Sequence, residues 1–515
     1  MRNTTFAAAF VSAILALAGC ESLTPKWMTV GPDYERKDVE VLDAPLADAG
    51  YTTGKREAGG GLEIVRGEKD PRVEVTAEMI GDWWTQFNDP LLTELIERAV
   101  TNNISYAIVQ QRLIQARWSY VASFGGFFPN FDMSGRMTRA GYYKESSTGA
   151  SAGGRNIHST TYSAGFDATW EIDLFGGSRR ANESARAAMD AAYFDVDSAL
   201  VSLTAEIGSA YINLRTTQAR IKTAIENLKL QSETYDILRS RLESGIGDEL
   251  AVNQAKYNVD QTRASIPPLK SQEESYMNAI AILVGDMPGV WHARLGPLPG
   301  RDWLVAPQKL SSIPVNVLRA RPDICSAERK LAAQVAQVGV KKAMLFPKFY
   351  ITGSVGFDSP KAGDFFHRDA VYSTIGPSFS WPIFQGGALY SEMKSAESKV
   401  EESTLNYELT VQQALGELRD AYSAYTAAYH RFESLKGAVD AAGAAVDISK
   451  DLYKNGLADF NNVLDAQRSK LNLEDSLTQA RGDITLQLIK LYKAMGGGLA
   501  AADTAQAAVQ EEIER

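Results

Sequence analysis

Trp170-Glu-Ile-Asp-Leu-Phe-Gly-Gly177 and Trp381-Pro-Ile-Phe-Gln-Gly-Gly387 stand 211 residues apart and share a tryptophan, an isoleucine two residues on and closing glycines. The same spacing pairs Glu206 with Glu417, Ala210-Tyr211 with Ala421-Tyr422, Gly245 with Gly456, Ala255 with Ala466, and Gly285 with Gly496. A register kept for about 115 residues without an insertion marks a tandem repeat, and a repeat decides architecture before any local motif does. Upstream, Phe128-Pro129 matches Phe346-Pro347 at a spacing of 218. The difference falls in the Gly/Ser-rich stretch 144–156, where a surface loop of different length accounts for it.

Each repeat reads as helix, strand, loop, strand, very long helix, tight turn, long helix. In 162–174, Tyr162, Ala164, Phe166, Ala168, Trp170, Ile172 and Leu174 share one face, and Ser163, Asp167, Thr169, Glu171 and Asp173 the other. Phe131, Met133 and Met137 alternate with polar residues in the same way, as do Phe349, Ile351, Val355 and Phe357, and Val371, Ile375, Phe379, Trp381 and Ile383. Strands of about ten residues can cross a bilayer at a tilt. A soluble sandwich with one wet face would show the same alternation. From about Ser178 to Leu242, Met189, Tyr193, Val196, Leu200, Leu203, Ile207 and Leu214 step by threes and fours, and Leu415, Leu418, Tyr422, Tyr425 and Tyr429 do so in the second repeat. Such a helix makes a rod of about 100 Å at 1.5 Å per residue, the length of coiled coils and α-barrels. Pro267-Pro268 predicts a break in the returning helix of the first repeat.

Composition narrows the function. The chain has 515 residues and a net charge of −10, so it lacks the basic footprint of a nucleic-acid binder. Four histidines and two cysteines are too scattered for metal-ligand spacing, and no cofactor is implied. No apolar run reaches 18 residues, which excludes a helical span but not a β-barrel. No nucleophile elbow, P-loop or dinucleotide turn is present, so the chain does not read as an enzyme.

The N-terminus reads as an export signal over 1–19, with Arg2 as the positive region and Phe6 to Leu17 as the apolar core. It ends at Leu17-Ala-Gly-Cys20, which resembles the lipobox of bacterial lipoproteins. That likeness implies a covalent lipid on Cys20, anchoring the chain to the outer membrane. Cys325 is then without a disulfide partner and reads as a core thiol. The expected divisions are a signal at 1–19, a lipidated extended tether at 20–81, repeat one at 82–285, a linker at 286–320, repeat two at 321–496 and a tail at 497–515.

Several ordered motifs carry a family resemblance over nearly the whole mature chain: Gly31-Pro-Asp-Tyr34, Trp83-Trp-Thr-Gln-Phe-Asn-Asp-Pro90, Trp170-Glu-Ile-Asp-Leu-Phe-Gly176, Leu318-Arg-Ala-Arg-Pro-Asp-Ile324, Leu345-Phe-Pro347, Gly456-Leu-Ala-Asp459, Leu464-Asp-Ala-Gln-Arg468 and Leu491-Tyr-Lys-Ala-Met-Gly496. Together they resemble a TolC-family outer-membrane factor of an RND-type efflux system. The resemblance implies a mainly α protomer giving four strands to a homotrimeric, 12-stranded outer-membrane β-barrel and long helices to a periplasmic α-barrel. It implies as partners a periplasmic adaptor, or membrane fusion protein, and an inner-membrane RND-type transporter, and as function the passive export of drugs or other small toxic molecules. Type I protein secretion stays open within the family. A coiled-coil adaptor or structural lipoprotein is the alternative outside it, and an adaptor should carry one hairpin between lipoyl-like segments rather than a tandem repeat.

Two features read as functional sites. Trp170 and Trp381 suit a membrane-interface belt. The turns Ser244–Asp248 and Asn455–Asp459, around Gly245 and Gly456, belong at the periplasmic tip, where Asp459, Asn462 and Asp465 recur along one stripe of the last helix. Relatives narrow the entrance with acids at this motif, so three copies of Asp465 would form a periplasmic gate. The plainer reading makes Asp465 a solvated or salt-bridged helix residue near Arg468. Its repeat-one counterpart is Gln254.

Overall fold

The computed structural model describes residues 29–35, 55–56, 62–63, 81–144, 155–298, 315–455 and 457–499. In chain order these form α1 (Pro90–Asn102), α2 (Ile104–Ser123), β1 (Asn130–Lys144), β2 (Arg155–Ile172), α3 (Gly177–Glu243), α4 (Glu249–Val284), α5 (Pro322–Ala343), β3 (Lys348–Ser359), β4 (Val371–Ser380), α6 (Ala388–Lys454) and α7 (Phe460–Ala494). A two-residue ladder, Lys55–Arg56 with Leu62–Glu63, precedes them. The expected element order is present twice. α3 and α6 each have 67 residues, and both their starts and their ends are 211 residues apart. No helix among the described residues is long and apolar enough to cross a membrane.

Two compact units divide the chain. One draws its residues from 1–38, 113–192 and 327–407 and contains the sheet. The strands pair antiparallel in the order β1-β2-β3-β4. Phe131, Met133 and Met137 lie opposite Ala168, Phe166 and Tyr162, and Phe166, Trp170 and Ile172 lie opposite Val355, Ile351 and Phe349. Phe349 and Phe357 then face Phe379 and Val371. Because side chains alternate along each strand, this register gathers the apolar residues of all four strands on one face, and a one-residue slip would scatter them. The other face is polar. There the Ser134 hydroxyl donates to Asp167 (3.0 Å), Ser354 and Thr374 share a hydrogen bond of 2.7 Å, and Lys348 lies 3.2 Å from Glu171. Gly165 and Gly356 are cross-strand partners whose backbones approach so closely that a Cβ on Gly356 would meet the Ala164 carbonyl oxygen.

Residues 29–35 are docked rather than free. The Val30 N–H donates to the Phe175 carbonyl at 3.1 Å, and Gly31, at φ +109°, lies against Gly339. Arg180 bonds both the Gly31 carbonyl and Asp33, while the Tyr34 hydroxyl donates to Glu328 at 3.1 Å.

The second unit, drawn from 39–112, 193–326 and 408–515, is helical and centred on the middle of α3. Trp83 is fully buried, stacks on Tyr492, and fills the space left open by Gly208. Asp89 caps α1 through the Leu91 N–H and accepts the Tyr211 hydroxyl. Arg215, 1% exposed, donates to the carbonyls of Leu295 and Pro297 and to Gln218. These contacts explain the Trp83–Pro90 motif as packing.

The break expected at Pro267-Pro268 does not occur, because α4 runs unbroken through both prolines. Ala251, Ala255 and Val259 are buried before them, and Met277, Ile280, Ala281 and Val284 after them. Both halves are therefore held by packing, and the missing N–H donors fall on a stretch where the prolines are exposed to water. Cys325 is also not a core thiol. It is half-buried on the first turns of α5, its Sγ 3.7 Å from the Arg319 carbonyl, because the apolar side of that helix is taken by Ile324 and Leu331.

Candidate functional site

At the ends of the long helices, four elements meet in one cluster. Leu238 of α3, Ala251 and Ala255 of α4, and Phe460, Val463 and Leu464 of α7 are buried together, with Tyr235, Val252 and Tyr453 against them. Gly245, at φ +76°, closes α3: its N–H reaches the Leu242 carbonyl and the Ile246 N–H reaches that of Arg241, the paired bonds of a Schellman cap. In the second repeat the Leu457 N–H makes the matching bond to Leu452 at 2.9 Å. Gly456 itself lies outside the described residues.

The caps differ where the backbones agree. The Asp248 carboxylate accepts the Leu250 N–H at 3.0 Å and caps α4. Asp459 occupies the same place before α7, yet its side chain makes no capping bond and stays exposed. Asn462 and Asp465 are exposed at successive three-residue steps on the same stripe. Asp465, with 76% of its side chain exposed, comes only within 3.9 Å of Arg468. The arginine is engaged elsewhere. It donates to Asn258 at 2.7 Å and stacks over the ring of Tyr257, its own repeat counterpart, at 5.2 Å. Arg468 thus keeps a long ion pair to Asp465 and makes its shorter contacts with α4.

Trp170 and Trp381 occupy equivalent places at the helix-facing ends of β2 and β4. The Trp170 indole donates to the Phe127 carbonyl at 3.0 Å and the Trp381 indole to that of Leu345 at 3.2 Å. Each ties the end of its hairpin to the corner where the incoming helix becomes a strand. Arg321, 8% exposed at its side chain, clamps Asp323, Glu417 and the Ala494 carbonyl, so it joins the start of α5 to α6 and to the end of α7. An arginine just before a Pro-Asp helix start was the available signal. Burial raises the Asp197 carboxyl on α3 to about 6. Cys20, the signal, most of the tether and the tail lie outside the described residues.

A family model described as outer membrane efflux protein matches residues 95–286 and 313–497. The chain belongs to the outer membrane efflux protein family. This efflux protein is 29% identical over 503 residues to nodulation protein T of Rhizobium leguminosarum bv. trifolii, covering 97% of this chain and 98% of that one. It is 26% identical over 423 residues to the pyoverdine export outer membrane protein OpmQ of Pseudomonas aeruginosa, at 82% and 88% coverage. The solved structure of the outer-membrane channel OprN superposes with a TM-score of 0.77 at 31% identity, over 92% of this chain and 99% of that chain. The fold is that of the TolC-like channels, as the sequence implied, in which a β-barrel and an α-barrel are trimeric. The outer membrane efflux proteins are passive channels rather than enzymes.

Proposed function

We propose that three copies of this chain close an outer-membrane exit duct, through which an inner-membrane RND-type transporter, coupled by a periplasmic adaptor, expels small molecules. The observation that carries the reading is the sheet. Its apolar face is uncovered and its outer strands β1 and β4 each have one open edge among the described residues. In lipid every backbone donor and acceptor must be satisfied within protein, so four strands of this kind need further copies to close. The opposite face, with Asp132, Asp167, Arg136 and Ser354, suits a water-filled lumen.

A lipid on Cys20 fits the docked segment. Thr29 is nine Cα–Cα steps from Cys20, a span of at most about 32 Å when extended, and it lies against Gly176 beside the end of β2. An acyl anchor on Cys20 would therefore be held close to the strand ends. Cys20→Ser should abolish incorporation of labelled palmitate while the chain still assembles; unchanged labelling would dismiss the anchor. The duct is tested by cross-linking in the cell: adaptor and RND-type transporter should be captured with this chain, and repeated capture of an ATP-driven secretion transporter instead would move the function to protein export.

A further inference from the structure

Tyr372 lies near the start of β4 on the polar face of the sheet, which it shares with Thr374, Ser378 and Ser380. Its cross-strand partner on β3 is Gly356, and the partner of Gly356 on β2 is Gly165. Strand side chains ordinarily stand up from the sheet. Here the Tyr372 hydroxyl is 3.0 Å from the place a Cβ on Gly165 would take. Gly165 is two strands away, roughly 10 Å across the sheet. The ring therefore leans over β3 and lies along the wall, where two glycines in a row leave it room. Ring and room go together in the repeat. Under the spacing of 211 for the second strand of each hairpin and 218 for the first, Tyr372 corresponds to Thr161 and Gly356 to Thr138, and Thr138↔Thr161 is the observed pair on β1 and β2. One hairpin carries two threonines; the other has a ring and a gap in their place.

The polar side chains around the ring are engaged with one another. Ser354 bonds Thr374, the Ser134 hydroxyl donates to Asp167, and Tyr350, the other aromatic of β3 and β4 on this face, bonds Glu171. The Tyr372 hydroxyl has no hydrogen bond among the described residues, so packing over the glycines places the ring. Charge surrounds it unevenly. Beside the row Ser134, Gly165, Gly356 and Tyr372, one neighbouring row holds Asp132 and Asp167, and the other holds Asp358 and Arg136. Three carboxylates against one guanidinium favour a positive solute, and the face of a phenol ring attracts a cation within about 6 Å of its centre. Resting on the duct reading given above, we infer that Tyr372 is a specificity-determining residue of the duct, on whose ring exported flat organic cations stack as they pass. An upright ring would obstruct the passage. A ring laid on the wall offers a solute a surface without narrowing its path.

Block by ethidium, a flat aromatic cation, tests this in planar bilayers holding the full-length protein. Ethidium should block the wild-type current. Tyr372→Phe should keep the half-blocking concentration, whereas Tyr372→Ala should raise it about threefold or more. Tyr372→Leu keeps most of the bulk and loses the aromatic face, so it should behave like the alanine variant, and it decides the matter if the alanine variant assembles poorly. The current without ethidium should be the same in all forms, because the ring lies on the wall. Equal block of the wild type and the leucine variant, or no block of a conducting wild type, overturns the role of Tyr372 and leaves the duct standing. A wild type that assembles as a trimer and never conducts overturns the duct reading itself.

Discussion

α3 and α6 have the same length and the same place in their repeats, yet the middles of the two helices have different surroundings. In α3, Leu200, Leu203, Thr204, Ile207, Tyr211, Ile212, Leu214, Arg215 and Gln218 are buried, which wraps protein almost around the helix. In α6 burial follows one stripe, Val411, Ala414, Leu418, Ala421, Tyr422 and Tyr425, and most of the residues between are exposed. A single seam at threes and fours is what a helix needs to join one neighbour, whereas burial all round belongs to a core. Duplication has kept the backbone and released the chemistry, since Gly208, Arg215 and Gln254 in the first repeat stand where Arg419, Thr426 and Asp465 stand in the second.

The sharpest way to break this comparison is to exchange the character of one pair of counterparts. A Cβ at Gly208 would lie 2.4 Å from the Trp83 ring, so Gly208→Leu should cost about 3 kcal/mol or more and leave little folded protein in detergent. Arg419 is exposed on α6, and Arg419→Leu should change stability by about 0.5 kcal/mol or less. Equal melting temperatures for the two variants would remove the distinction.

Next in size is the clamp that joins the repeats. Arg321→Met leaves the Ala494 carbonyl without its buried donor and should lower stability by about 2 kcal/mol in denaturant unfolding. Asp197 gives a smaller, pH-dependent effect. Its carboxyl is raised from 3.8 to about 6, so the folded state holds a proton that the unfolded state has lost between those values, and the stability it confers falls as pH rises through that window. Asp197→Asn should therefore leave the melting temperature unchanged near pH 4 and raise it above pH 7, by about 1 kcal/mol of stability. A gain of the same size at pH 4 would contradict the cause. Asp465→Ala should have the smallest effect on stability, about 0.5 kcal/mol or less, because its ion pair to Arg468 is long and exposed while Asn258 and Tyr257 also hold the arginine.

The duplicated parts were legible because period and offset are properties of the sequence itself. Alternation placed all four strands, and steps of three and four located α3 to within a residue at each end. What the sequence did not disclose depends on partners distant in the chain. Pro267-Pro268 spells a helix break locally, but burial on both sides of it overrides the local cost. Arg468 lies three residues from Asp465, while its partners on α4 are 210 and 211 residues away. Asp248 and Asp459 read alike, although only one caps its helix. At the candidate gate the stripe was readable and its exposure is observed; the ring of three acids is a proposal about the assembled duct.

Closure of this chain with two others into a conducting duct is tested by native mass spectrometry followed by planar-bilayer recording of the same detergent-purified sample. A three-chain particle giving small, cation-preferring currents that grow and lose that preference in Asp465→Ala is the result expected. Single chains, or three-chain particles that never conduct in either form, would contradict it.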